Sequence, residues 1–257
     1  MMMLNKVGVA TLYKREVWRF LKVWNQTLIA PVVTNLLFLA VLSLAVGHAQ
    51  RAEVAGMSYE QFIVPGLIMM AVVQNAFANT SSSLMLQKIQ GVIVDLLMPP
   101  LSAGEVTFSL TMGGVTRGVM VGIVVYLSLV FIVEPQMHDL WLAFFYVVMA
   151  SVMLALIGIL TGIWSQTFDQ LAAITNYIVT PLSFLSGTFY STQYLPEFWR
   201  TVSHFNPFFY MIDGFRYAMT GYSDGSVETG IVVLIGINVL LWLVVQKLLK
   251  SGWRLKT

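Results

Sequence analysis

The chain has 257 residues, of which 58% are hydrophobic and 10% charged, with a formal net charge of +2. Soluble domains carry about 25% charged residues, so a free-standing soluble domain is excluded and the chain reads as one membrane domain over residues 1–257. The absence of cysteine removes disulfides, thiolate catalysis and cysteine-based metal sites.

Residues from about Val9 to Gln26 predict an amphipathic helix. Tyr13, Val17, Phe20, Leu21 and Trp24 recur at helical spacing as an apolar stripe, with Arg15, Arg19 and Lys22 beside it as a basic one. Such a helix lies in the membrane interface next to anionic head groups, and its charges also favour an inside location. An apolar run over 27–47 follows. It ends at Gly47-His48-Ala49, which loosely resembles a signal-peptide cleavage site. The basic leader is long for a signal peptide, however, and the run is long enough to cross a bilayer, so it reads as the first span.

After a short polar connection from His48 to Tyr59, Ser58 and Gln61 form a capping-box pattern opening the second span, 61–84, which Pro65-Gly66 should bend. The stretch from Leu86 to Gly104, LQKIQGVIVDLLMPPLSAG, predicts a short amphipathic helix. Ile89, Val92, Ile93, Leu96 and Leu97 form its apolar stripe, Gln87, Lys88, Gln90, Gly91 and Asp95 are exposed, and Pro99-Pro100 stops it. Hung between two spans, it either lies on the lipid or docks on a partner.

Ser102 and Glu105 form a second capping box, opening the third span, 105–133. Gly114, Gly118 and Gly122 stand at the four-residue spacing that lets helices approach closely. A charge at mid-membrane costs roughly 2.5–3.5 kcal/mol, so Arg117 reads as an arginine near the cytoplasmic end whose side chain reaches the interface. Glu134-Pro135 ends this span, and Asp139 caps the fourth, 140–165. Thr167 with Gln170 opens the fifth, 171–190, kinked near Pro181.

The stretch from Leu185 to Met219 has the composition of neither a span nor a loop. Between Phe189 and Tyr222, 12 of 34 residues are aromatic, mixed with prolines and charges, as suits the boundary between hydrocarbon and water. Pro196 opens a short helix with Phe198, Trp199, Val202 and Phe205 on one face. Asn206-Pro207 breaks it and opens another that runs to Gly221. Residues 196–221 therefore predict two short re-entrant or surface-lying helices tucked against the membrane, with Asp213 and Arg216 paired on one face. Asp224-Gly225 turns the chain into the sixth span, 227–248, and a basic tail.

On this plan Lys6, Lys14, Arg15, Arg19, Lys22, Lys88, Lys247, Lys250, Arg254 and Lys256 share one side, against Arg51, Arg200 and Arg216 on the other. The positive-inside rule makes the first side, with both termini, cytoplasmic. No GxxxxGK[ST] or HExxH is present, and the three histidines fall in connections. Few acids lie within the spans, which disfavours an ion-coupled carrier. The amides Asn35, Gln74, Asn75, Asn79, Asn176 and Asn238 read as interhelical glue. What remains is a six-span path-former with no energy source of its own. A self-sufficient channel or carrier is the alternative, and a membrane-embedded enzyme would need paired carboxylates or histidines that are missing.

KIQGVIVDLLMPPLS and LSGTFYSTQYLPEFWRTVSHFNPFFYMIDGFRY resemble two motifs of the ABC-2 type permease family, the membrane half of many bacterial ATP-driven exporters. In the second motif Gly187, Pro196, Asn206, Pro207 and Arg216 stand at matching places, and the resemblance runs over essentially the whole chain. It implies an all-α transmembrane domain in the inner membrane, with a second copy or a related permease beside it. Separate ATPase subunits would carry ATP and Mg, with no cofactor in this chain and no nucleic-acid partner. Gln87, Lys88, Gln90, Gly91 and Asp95, together with Arg15 and Arg19, would then transmit ATPase closure. The outer helices, with Asp213, would line or guard the exit. The family often carries an acid near the start of the first motif, where this chain has Gln87, Lys88 and Gln90.

Overall fold

The computed structural model describes residues 5–47, 53–54, 56–133 and 137–254; expectations for His48, Arg51, Glu134, Pro135 and Lys256 lie outside them. The chain is helical almost throughout. In order the helices are α1 (Lys6–Leu21), α2 (Ala30–Gly47), α3 (Tyr59–Ile89), α4 (Val94–Leu97), α5 (Ala103–Val130), α6 (Leu140–Trp164), α7 (Phe168–Ile174), α8 (Thr180–Leu185), α9 (Glu197–Phe205), α10 (Pro207–Thr220) and α11 (Val227–Ser251). A two-residue antiparallel ribbon, β1 (Glu53–Val54) and β2 (Met57–Ser58), precedes α3 with Glu53 opposite Ser58.

Helix starts follow the sequence closely. The capping boxes of Ser58 with Gln61 and Ser102 with Glu105 are both closed in both directions, and Asp139 accepts from Leu142 N at 3.0 Å. Thr167 accepts from Gln170 N, but the Gln170 side chain reaches the N–H of Gln166 rather than that of the cap residue.

The core is built around α3, buried along nearly its whole length and packed between α5 and α6. Gly114, Gly118 and Gly122 lie where α5 meets α3 and α6. A Cβ added at Gly118 would stand 2.6 Å from Ser151 Oγ, and one at Gly122 2.8 Å from a Val72 methyl. Only hydrogen fits there, so the backbones close to a spacing that any side chain would prop apart.

Among the described residues five stretches are long and apolar enough to cross a membrane: Asn25–Ala45, Tyr59–Ile89, Ala103–Val130, Leu140–Trp164 and Val227–Ser251. The predicted fifth span, 171–190, is not among them. Its residues form α7, a π-helical turn at Thr175–Val179, and α8, which ends at Leu185. A second π turn, Asn25–Ile29, leads into α2. Each π turn sits directly before a proline, Pro181 or Pro31. Proline has no N–H and its ring collides with the carbonyl four residues back, here Tyr177 or Thr27. Widening the preceding turn to an i→i+5 bond, Thr180 N to Thr175 O and Ala30 N to Asn25 O, removes that collision without a sharp break.

Two expectations change. The second span runs to Ile89, not 84, and is broken only where Gly91 adopts φ +71°. The predicted amphipathic helix after it is reduced to the single turn α4, with Ile93 and Leu96 buried but Ile89, Val92 and Leu97 exposed. Likewise α1 buries Leu12, Glu16 and Phe20, whereas Trp24 of the predicted stripe is exposed. The reason is packing. Asn5 N donates to Glu105 Oε1, Ser109 Oγ to Val9 O, and the Tyr13 and Thr116 hydroxyls pair at 2.9 Å. The helix therefore runs alongside the first half of α5, and a protein surface, not a flat lipid one, selects its buried face.

Candidate functional site

One line of polar residues on α3, Asn75, Asn79, Ser83 and Gln87, recurs every four positions and so forms a single ladder. At its lower rungs stands Glu16, 1% exposed, brought there by α1. Glu16 accepts from Ser83 Oγ at 2.9 Å and forms ion pairs with Arg15 at 3.4 Å and Arg19 at 3.2 Å. Arg19 also donates to Asn79 O, to Asn79 Oδ1 at 3.0 Å and to Ser82 Oγ at 3.2 Å. Gln87 donates to both Ser83 O and Ser83 Oγ. Gly113 of α5 lies over this cluster, since a Cβ there would meet Glu16 Cβ at 2.7 Å. A buried carboxylate needs such partners, and Glu16 has three.

The predicted exposure of Gln87 and Lys88 is corrected. Gln87 is buried in the ladder, while the Lys88 ammonium donates to the carbonyls of Gly162, Ile163 and Ser165, closing the C-terminus of α6. A lysine satisfies the orphan carbonyls at a helix end, where the dipole also favours it. Gln90, Gly91 and Asp95 remain exposed. Asp95 and Arg15 face one groove of about 230 Å³ between α1 and the α4 segment, lined also by Gly8, Leu12, Leu96 and Leu101. Beside it Val92, Val94, Leu97 and Met98 are exposed.

At the upper rung, Nε and Nη2 of Arg117 both donate to Asn75 Oδ1, at 3.2 and 2.9 Å. Asn75 also lines a cleft of about 220 Å³ between α2 and α3, with Gln26, Thr34, Asn35, Gln74, Phe38 and Met70. These amides therefore line a cavity as well as joining helices.

At the other end of the bundle, the aromatic stretch folds into a cap. Arg216 is fully buried. Its Nε donates to Phe62 O at 3.3 Å and its Nη2 to Gly187 O, and the guanidinium lies 4.0 Å from the Phe62 ring centroid. Gly187 has φ +73°, so the carbonyl reaches Arg216 from a turn that side-chain-bearing residues rarely adopt. Asp213 lies 3.9 Å from Arg216, but its two oxygens accept from the N–H groups of Asp224 and Gly225 at 2.8 and 2.9 Å. Asp224 in turn takes Ser191 Oγ, Thr192 N and the Tyr222 hydroxyl. Burial, acting first, pushes the Tyr222 hydroxyl up to about 12. Asn206 caps α10 through Phe208 N and donates to Leu182 O and Ser186 Oγ, while Pro207 opens that helix and Pro196 immediately precedes α9. Phe198, Trp199 and Phe205 of α9 turn outward, and Ser203 is the buried residue of that helix.

Glu16 was the residue that sequence reading missed. It is the single acid in the first 52 residues, among five bases that precede the first span. That contrast, with the four-residue polar spacing on α3, is a usable signal.

Among the described residues no cluster of three or more histidine, aspartate or glutamate side chains could hold a metal. Residues 8–220 match the ABC-2 type transporter family. The chain is 38% identical to the inner membrane transport permease YadH of Escherichia coli K12, over the full length of both. It is 25% identical to nodulation protein J of Rhizobium leguminosarum bv. viciae, covering 95% of this chain and 98% of that one. Nodulation protein J of Neorhizobium galegae is 19% identical over 86% of this chain and 83% of its own.

Proposed function

The chain belongs to the ABC-2 type transporter family, and from that premise we propose that it is the membrane permease subunit of an ATP-driven exporter. It works as one transmembrane domain beside a second copy or a related permease, and separate ATPase subunits bind ATP and Mg. The residues 168–185, through their π turn, make the fifth of six crossings. Helices α9 and α10 are the re-entrant pair at the outer face. The excess of lysine and arginine places both termini in the cytoplasm.

The observation that carries this reading is the physical link from the exposed α4 segment to the spans. Gln90, Gly91 and Asp95, beside Arg15 and the exposed Val92, Val94, Leu97 and Met98, offer a surface at the cytoplasmic end. Directly behind it, Glu16 and Arg19 tie α1 to Ser83 and Asn79 of α3, and Gln87 holds Ser83 from one turn further along α3. A push on that surface is carried along α3 and α1 together, because hydrogen bonds to charged groups join the two helices: Ser83 Oγ to Glu16, and Arg19 to Asn79. At 1.5 Å per residue α3 and α5 are about 46 and 42 Å long, against about 30 Å of hydrocarbon. With that excess on the side of α1, Arg117, about 21 Å from the start of α5, lies roughly 9 Å inside the hydrocarbon, from where its side chain snorkels toward the cytoplasmic boundary.

The test is a mild-detergent pull-down of the tagged chain with mass spectrometry. Recovery of a soluble protein bearing a phosphate-binding loop, near one copy per permease, is the expected result. Flux through the purified chain alone in liposomes, with no such partner, would replace this reading by a self-sufficient channel.

A further inference from the structure

Arg117 is the one arginine of the α1–α3–α5 cluster with no acid beside it. Among the described residues the ion pairs are Arg15 and Arg19 with Glu16, and Arg216 with Asp213. Arg19, the nearby like charge on α1, is held by Glu16 and Asn79. A guanidinium has five N–H donors in a planar fork suited to bidentate anions. Here two of them converge on a single amide oxygen. The site is thus positive, partly desolvated and under-coordinated, and an incoming anion would relieve both deficits.

The adjoining cleft joins amides, Gln26, Asn35, Gln74 and Asn75, to the apolar Phe38 and Met70. From Gln26 in the π turn to Phe38 of α2 the chain rises twelve steps, about 18 Å. The outward face of the same helix exposes Val33, Leu37, Val41 and Leu44. A small hydrophilic anion gains nothing from such an apolar extension, whereas a chain-bearing molecule does.

We propose that Arg117, with Asn75 beside it, binds the anionic headgroup of an amphiphile whose apolar chain lies along the cleft between α2 and α3. The Asn75 side chain then turns from accepting the Arg117 fork to sharing the headgroup with it. That the bound amphiphile is cargo rests on the exporter reading; that it binds does not.

The experiment uses the purified full-length chain without any ATPase, so its outcome is independent of that reading. Native mass spectrometry counts phosphatidylglycerol and phosphatidylcholine retained by the wild-type chain, Arg117→Gln, Arg117→Lys and, as a distant control, Arg254→Gln. The wild type should retain phosphatidylglycerol preferentially, and Arg117→Gln should lose that preference by about tenfold or more, the size of one charge-assisted contact. Arg117→Lys should keep part of it, and Arg254→Gln all of it. A melting temperature for each variant separates lost binding from lost folding. Undiminished phosphatidylglycerol retention by a folded Arg117→Gln chain would overturn the site. Displacement of the lipid by an equal concentration of inorganic phosphate would overturn the amphiphile and leave only an anion site.

Discussion

The two ends of the bundle each bury charge, and they do so in opposite ways. The aromatic cap holds Arg216 through backbone carbonyls of Phe62 and Gly187, and Asp213 through backbone N–H groups of Asp224 and Gly225. Backbone partners in ordered segments have one position. The network at the α1 end is made mainly of side chains, Glu16, Arg19, Asn79, Ser83 and Gln87, which join two separate helices. Its Asn79 Nδ2 and Gln87 Oε1 are buried without a partner among the described residues, whereas no buried side-chain atom of Asp213, Arg216, Asn206 or Asp224 is so left. A fully satisfied network fixes one arrangement, and a partly satisfied one leaves a second arrangement within reach. One end is fully satisfied by backbone partners, and the other only partly by side chains.

The largest effect belongs to the fully satisfied end. Arg216→Met should cost about 3–5 kcal/mol, because it strands two buried carbonyls and a buried Asp213; the readout is the melting temperature in detergent. Glu16→Gln removes the carboxylate from between two arginines that keep 44% and 27% of their side-chain surface exposed. Water screens them, so the loss should be only about 1–2 kcal/mol, while export in a reconstituted complex falls much further. If Glu16→Gln melts the protein as severely as Arg216→Met, the contrast between the ends is wrong.

Tyr222→Phe removes the hydroxyl that donates to Asp224 at 2.7 Å and should cost about 1 kcal/mol. Because the folded hydroxyl is raised to about 12 from 10.0, its stabilisation is complete below the unfolded value and is lost as pH climbs through the folded one. Wild-type melting temperature should therefore drop more steeply than that of the variant between those values. The smallest effect is Lys88→Met, which uncaps α6 for about 0.5 kcal/mol. Its signature is faster amide exchange confined to residues 162–165, with the aromatic cap unchanged.

Much of this molecule could be read from local patterns. The capping boxes at Ser58 and Ser102, the break at Asn206-Pro207 and the stop at Gly221, φ +76°, all formed where predicted. These signals act over three or four residues, so their outcome depends little on the rest of the fold. Burial was less legible. Gln87 and Lys88 were placed outside because an amide and a lysine on a short amphipathic stretch ordinarily face water, yet α6 ends beside them and offers carbonyls. Glu16 drew no reading from the sequence; its role is set by Ser83, which α3 supplies, and by two arginines of α1.

The sequence by itself determined an all-helical membrane protein, its apolar stretches, most helix ends and the family to which it belongs, since hydropathy, caps and motifs are written in consecutive residues. Only the tertiary structure decided that α1 runs beside α5, that one face of α3 is a polar ladder with an acid at its foot, and that Arg117 meets Asn75, a residue of the cleft between α2 and α3. Those facts depend on which helices meet, and they are set by contacts between residues such as Glu16 and Ser83 that lie 67 positions apart.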